Sequence, residues 1–417
     1  MCRSGGAWAL QMSSIVVGGG TYWEYCLHPE WEAFYGSAGR AAALLALLGE
    51  HVELVTFGNE EKGRYLKYLA QTYGFERGSE AIGPSISFSY TNPLSSPSIA
   101  PPRHLLKQDT TVVAAAPVVL RFGALEGTVV AKGDRVVFDP QDIDLPERFA
   151  ANGSTAHELA IVCNLQEGQS LTEAESPADV AHALLRREGA CVAVVKMGAA
   201  GALVAEGEKL SLIPAYRTDS VFGIGSGDVF SAAFTYFWGK HRRRAHDAAL
   251  RASQFVAYYC NTTDLPVSEQ AVVEAVDQFL PNNGTPPTEG RKPKVYLAGP
   301  FFTMSQIWLV EEARAALMDQ GLEVFSPYHN VGFGVAAEVA PKDIAALDAA
   351  DLVYAIVDGL DAGTMFEIGY AVKHNIPVVA FAENESPGSL TMLLGTGVHV
   401  VKDFAASIYK LSWIARP

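Results

Sequence analysis

Four short runs, "KVYLAGP" (294–300), "LEVFSPY" (322–328), "DLVYAIVD" (351–358) and "IPVVAFAE" (376–383), are apolar almost throughout, and helical patterns separate them. A strand that is apolar on both faces must be covered on both. Helices between successive strands provide that cover, so this alternation commits the segment to a parallel sheet in an α/β fold. "IWLVEEARAALMDQG" (307–321) reads as an amphipathic helix closed by a glycine. "KDIAALDAA" (342–350) reads as a second helix and 359–377 as a third, while "GVHVVKD" (397–403) is a candidate fifth strand. In such sheets ligands bind outside the carboxyl ends of the strands.

The run "LPNNGTPPTEGRKPK" (280–294) is rich in Pro, Gly, Asn and charge and has no apolar periodicity. It divides the chain into a first domain over 1–280, a linker over 281–293 and a second domain over 294–417. The first domain shows the same alternation: "SIVVGGG" (14–20), the helix–glycine–strand pattern of 37–58, then "TVVAAAPVV", "RVVFDPQ", "LAIVCNLQE" and "CVAVVKMGAAGALVA". "PSISFSYTNPLSSPSIAPPR" (84–103) alternates but carries several prolines, which places it on edge strands or a flap.

Composition narrows the function classes. The chain has 417 residues, 49% hydrophobic and 18% charged, with a formal net charge of −15. Without a basic face a nucleic-acid partner is not expected, and the one basic cluster, "KHRRRAHD" (240–247), reads as a solvated helix end. Cys2, Cys26, Cys163, Cys191 and Cys260 form no C-x-x-C pair, which fits a reducing compartment and neither a disulfide framework nor a zinc site. The first 14 residues lack the apolar core of a signal peptide, and no run has 18 apolar residues. The expectation is a cytoplasmic protein without a membrane partner.

Three carboxylates are expected at one edge of the second sheet. Asp343 would open the helix before the third strand, and Asp361 and Glu367 follow that strand. Each has an ordinary structural reading: Asp343 as a helix-start charge, Asp361 as a turn residue, and Thr364-x-x-Glu367 as a capping box in the first turn. Together with Tyr296 of the first strand they make a candidate active site. "YLAGPFF" (296–302), "DIAALDAADLVYAIVDGLDAGTMFE" (343–367) and the following "IGYA" resemble the nucleoside 2-deoxyribosyltransferases over nearly all of 294–405. The resemblance implies Glu367 as the nucleophile that displaces a base and holds the sugar covalently. It also implies Asp343 at the base, Tyr296 positioning the nucleophile and Asp361 at the sugar 5′ end. Gly299, Phe301 and Gly363 would contact substrate. No cofactor is implied for this domain, its partners being nucleosides and nucleobases, in a homo-oligomer. An anionic Asp361 favours nucleosides over nucleotides. "SLTMLLGTG" (389–397) lacks the asparagine that relatives supply from a neighbouring subunit, which leaves hydrolysis open beside transfer.

In the first domain "GSGD" (225–228) precedes an apolar helix, where backbone amides can cradle phosphate and Asp228 can accept a hydroxyl proton. With "NLQE" (164–167) and "KMGAAGALV" (196–204) it resembles the ribokinase, or PfkB-like, sugar and nucleoside kinases over about 14–280. The resemblance implies Asp228 as base and Gly225 and Gly227 at the anion hole. Asn164 and Glu167 would lie near Mg and phosphate, with Glu167 a metal ligand, and Gly198 and Gly201 by the nucleotide; ATP and Mg are the implied cofactors. Three positions depart from the pattern. Phe222 and Ala41 replace an aspartate and an asparagine, and "GGGTYWEYCLHPEW" (18–31) lacks the early sugar-binding aspartate. The domain is therefore a kinase for another acceptor, with "TYWEY" (21–25) a stacking surface for a nucleoside, or a nucleotide-binding sensor or scaffold. The expected whole is a ribokinase-like α/β sandwich followed by a smaller flavodoxin-like parallel-sheet domain.

Overall fold

A computed structural model describes residues 15–106, 109–282 and 291–416. The N-terminal segment read for a signal peptide, Cys2 and most of the expected linker lie outside the described residues. The first domain is built on one nine-stranded sheet. Its strands run Lys209–Ile213, Ala202–Glu206, Val192–Lys196, Thr155–Asn164, Thr128–Asp139, Thr111–Phe122, Ile15–Gly18, Val52–Gly58 and Glu76–Ile82. Only Ala202–Glu206 pairs antiparallel with its neighbours; every other pairing in this sheet is parallel.

Strand periodicity decides which side chain meets which layer of helices. Ile15 and Val17 enter one core with Leu44 of helix Gly36–Leu47, Phe230 of helix Ser226–Phe234 and Phe255 of helix Ala245–Thr262. Val16 points the other way, into a second core with Val180 and Leu184 of helix Pro177–Glu188. The proline-rich segment belongs to a separate four-stranded sheet, in the order Trp31–Phe34, Trp23–Cys26, Ser87–Tyr90, Ser98–Ala100. That is the flap expected from its prolines. The start of the expected linker is instead structural: Leu280–Asn282 pairs antiparallel with Ala215–Arg217, and Asn282 is buried. Backbone pairing therefore carries the first domain to Asn282.

The second domain has five parallel strands, ordered Glu323–Phe325, Lys294–Ala298, Leu352–Ile356, Val378–Phe381, His399–Val401. This is the flavodoxin-like order 2-1-3-4-5, whose switch point lies between the first and third strands in sequence. Helices Met304–Asp319 and Phe404–Ala415 cover one face; Ala336–Asp348 and Ala362–Lys373 cover the other. Two details differ from the sequence expectation. The helix carrying Asp343 starts at Ala336 and runs through Pro341, so Asp343 lies in its second half and not at its start. The next helix starts at Ala362 behind an Asp361 cap, so Glu367 lies beyond the first turn.

The two domains are packed together. Helix Phe404–Ala415 sends Phe404, Ile408 and Leu411 into its own core. Its other side places Ala405, Ala406 and Trp413 against Ala199 and Val221 of the first domain. Asn92 donates to Glu312 across the junction at 2.9 Å, and the Ala199 amide donates to Gln320 at 3.3 Å. Among the described residues no helix is long and apolar enough to cross a membrane.

Because Ala406 is buried in this joint, Ala406→Glu would bury an unpaired carboxylate. The expected result is a loss of about 3 kcal/mol or more of domain coupling. Calorimetry should then resolve two unfolding transitions where the unmodified chain has one.

Candidate functional site

The second domain brings Tyr296, Asp343, Asp361 and Glu367 to one edge of its sheet. Tyr296 stands in strand Lys294–Ala298, next to the central one, and is fully buried, its ring stacked on Phe325. Its hydroxyl donates to Glu367 Oε1 at 2.5 Å. Asp361 is the N-cap of helix Ala362–Lys373: its Oδ2 accepts from the Thr364 amide at 2.9 Å and from the Thr364 hydroxyl at 3.1 Å. The Thr364–Glu367 capping box is thus replaced. Aspartate is an effective N-cap, and starting the helix three residues earlier leaves Glu367 free of capping duty.

Charge crowding and burial set the acidities. Burial pushes Glu367 up to about 7; the Tyr296 hydroxyl lowers it, and the nearby Asp343 and Asp361 charges raise it. Burial also raises Asp343, whose buried Oδ1 has no hydrogen-bond partner. The Tyr296 phenol is held far above its ordinary range by burial and by Glu367. Glu367 lies more than one turn from the start of its helix, and desolvation dominates its acidity.

The remaining predicted contacts flank these groups. Gly299 follows the first strand and packs on Ile356, where a Cβ would meet that side chain at 3.1 Å. Phe301 stacks on Phe302, meets Tyr328 at a tilt and Phe333 edge-on, the three ring centroids 5.3–5.6 Å away. Gly363 is the second residue of the Glu367 helix, beside the Asp361 carboxylate.

In the first domain, Asn164, Glu167, Gly198, Gly201 and Gly227 line one cavity of about 350 Å³. Asn164 and Glu167 form a reciprocal capping box at the start of helix Leu165–Thr172. Burial and the nearby Asp139 charge raise Glu167 to about 7. Lys196, which the sequence reading passed over, ion-pairs with buried Asp139 at 2.8 Å and approaches Gly227 at the start of helix Ser226–Phe234. Among the described residues no cluster of three or more His, Cys, Asp or Glu converges on a metal position. Glu167 and the Lys196-paired Asp139 are the carboxylates that line the cavity, so a Mg²⁺ there would draw most of its ligands from phosphate and water.

Gly225 and Asp228 face elsewhere. Gly225 has φ +77°, and the Arg40 guanidinium fills the place of its missing side chain: a Cβ would lie 2.2 Å from Arg40 Cζ. Arg40, 1% exposed, pairs with Asp228 Oδ2 and Glu24 Oε2, each at 2.7 Å. Gln141 donates to the other Asp228 oxygen at 2.7 Å. Both oxygens of the predicted base are occupied. The only sequence signals were Arg40 beside the substituted Ala41 and Glu24 within "TYWEY", and neither reveals a contact 188 residues away along the chain.

Comparison with known proteins matches two parts of the chain to different families. Residues 295–404 match the family model for nucleoside 2-deoxyribosyltransferase, and residues 132–267 match that for pfkB family carbohydrate kinase. The chain joins a PfkB-like half to a deoxyribosyltransferase-like half. No curated protein matches it. Among solved structures, a protein of Agrobacterium tumefaciens provisionally named a ribokinase is similar at 16% identity, covering 64% of this chain and 98% of its own, with a TM-score of 0.50. A ribokinase-family nucleoside kinase from Methanocaldococcus jannaschii has 14% identity, coverage of 64% and 99%, and a TM-score of 0.47. A double-mutant fructokinase from Vibrio cholerae, bound to fructose, ADP and potassium ion, has 15% identity, coverage of 64% and 99%, and a TM-score of 0.46. At such identities the likeness is one of fold.

The acidity of Glu367 generates a stability prediction. Its folded pKa, about 7, lies above the ordinary 4.5. The folded state therefore holds the proton more tightly, and stability is lost as pH rises through that range. Glu367→Gln removes the cost: relative to the unmodified protein it should gain about 1–3 kcal/mol at pH 8 and almost nothing at pH 4. Urea denaturation at the two pH values checks this.

Proposed function

We propose that the second domain breaks the N-glycosidic bond of 2′-deoxynucleosides and transfers the deoxyribosyl group to another base. The observation that carries this reading is the Tyr296–Glu367 hydrogen bond at the carboxylate-lined sheet edge. Glu367 attacks the anomeric carbon as the bond to the base breaks, forming a glycosyl ester. Asp343, whose acidity burial weakens, supplies the proton to the leaving base. An incoming base then attacks the same carbon, restores the Glu367 carboxylate and returns its proton to Asp343. The transition state is oxocarbenium-like, and a desolvated carboxylate beside it stabilises the developing positive charge. Tyr296 holds the carboxylate oriented for attack.

Hydrolysis is the second reading, favoured by the absence of asparagine in 389–397; water would replace the incoming base. Supplying a free purine or pyrimidine and looking for a new nucleoside separates the two. The Asp361 carboxylate disfavours a 5′-phosphate, so nucleosides are the preferred substrates.

For the first domain we infer nucleotide binding without phosphorylation of ribose. The cavity joins apolar walls to Lys196 and a helix start, which suits a nucleoside phosphate with Mg²⁺. With Arg40 and Gln141 on its two oxygens, Asp228 is encumbered as a base.

Glu367→Ala should abolish base exchange and base release, at least 1,000-fold, while the fold persists, as product chromatography and circular dichroism would show; a 2-fluoro nucleoside should label Glu367 in the unmodified protein. The reactive form is the carboxylate, so turnover should fall as pH drops through about 7. Tyr296→Phe removes the donor that lowers this value, and the limb of the pH–rate profile should move to higher pH. Ribose incubated with ATP-Mg should remain unphosphorylated.

A further inference from the structure

The cavity of the first domain is not walled by that domain alone. Tyr409 and Trp413, from the last helix of the second domain, line it opposite Val256 and Ala257. Gln320 of the second domain accepts from the Ala199 amide in the turn Gly198–Ala200, and the Tyr409 hydroxyl lies over Gly198. Lys196, paired with Asp139 and close to Glu167, and the amino end of helix Ser226–Phe234 line it as well. The lining therefore joins aromatic and aliphatic walls to a charged group of one lysine and two carboxylates beside a helix start.

Two of the lining residues carry an unsatisfied polar atom. Trp413 is 3% exposed, and its indole N–H has no hydrogen-bond partner; Asp139 is 1% exposed, and its Oδ1 has none either. A buried polar group without a partner costs free energy that a ligand can recover. The indole supplies a donor beside flat apolar walls, the pairing that a heterocyclic base with a ring-nitrogen or carbonyl acceptor requires.

We propose that the second domain completes the nucleotide site of the first: the base of a nucleoside phosphate lies against Tyr409 and Trp413, accepting from the Trp413 N–H, and its phosphates lie toward Lys196 and Ser226–Gly227. This rests on the reading of the first domain as a nucleotide binder. It adds that the binding is shared. Helix Phe404–Ala415 packs on the face of the sheet opposite the Glu367 helix, so occupancy of the cavity ties the two halves together.

Calorimetric titration of the full chain with ADP, adenosine and pyrophosphate tests this, comparing the unmodified protein with Trp413→Phe. Phenylalanine keeps a ring but removes the donor. ADP and adenosine should each bind about 5- to 20-fold more weakly to the variant, and pyrophosphate, which has no base to accept from the indole, should bind both proteins alike. Equal ADP affinity in the two proteins would overturn the proposal, as would an equal loss for pyrophosphate, which would mean general damage to the fold. If the unmodified protein binds neither ADP nor pyrophosphate, the nucleotide reading itself fails, and the proposal with it. Hydrogen exchange on the unmodified protein decides the matter even if the variant does not fold. Amides of 404–415 should exchange several-fold more slowly with ADP bound, and unchanged exchange at saturation would refute the shared site.

Discussion

The helix Phe404–Ala415 is buried on both sides, and that double burial organises the molecule. A helix at the surface of an α/β domain ordinarily keeps a polar outer face. This one presents Phe404, Ile408 and Leu411 inward and Ala405, Ala406 and Trp413 outward, so its outer face is stable only against the first domain. The small residues let the two domains approach closely, and Trp413 fills the space that remains. Through this joint the second domain becomes a wall of the first domain's cavity. The arrangement needs no hinge or motion; it follows from packing alone.

The two halves treat their key carboxylates in opposite ways. Glu367 is desolvated and near two other acids, with one hydroxyl as its donor, and its pKa is pushed up to about 7. Asp228 is also buried, but a guanidinium and an amide saturate it. Removing either Arg40 or its partners would strand a charge in the core, which is far costlier than the pair is stabilising. The Arg40 cluster is thus a structural commitment, made at the aspartate that the sequence resemblance reads as a base.

Much of this was legible from the chain alone. Alternating apolar runs and helices implied parallel sheets, because a strand apolar on both faces has few other resting places, and the proline-bearing segment read correctly as a flap. The edge carrying Tyr296, Asp343, Asp361 and Glu367 was also readable, since strand ends and spacing bring those positions together. Local competition was not. Two residues, Asp361 and Thr364, could each begin the same helix, and the stronger cap shifted Glu367 from a capping role into the site. Likewise the helix of Asp343 continued N-terminally through Pro341, a residue that local propensity reads as a boundary.

By itself, then, the sequence determined the class of fold, the division into two domains and the identity of the acids at the second sheet edge, all of which depend on near-neighbour periodicity and short spacings. Only the tertiary structure decided that Arg40 occupies Asp228, that burial weakens the acidity of Glu367, and that Tyr409 and Trp413 face a cavity in the other domain. Each of these depends on desolvation or on contact between residues distant along the chain. Neither leaves a periodic trace, because a buried ion pair or a domain joint is specified by what meets in space.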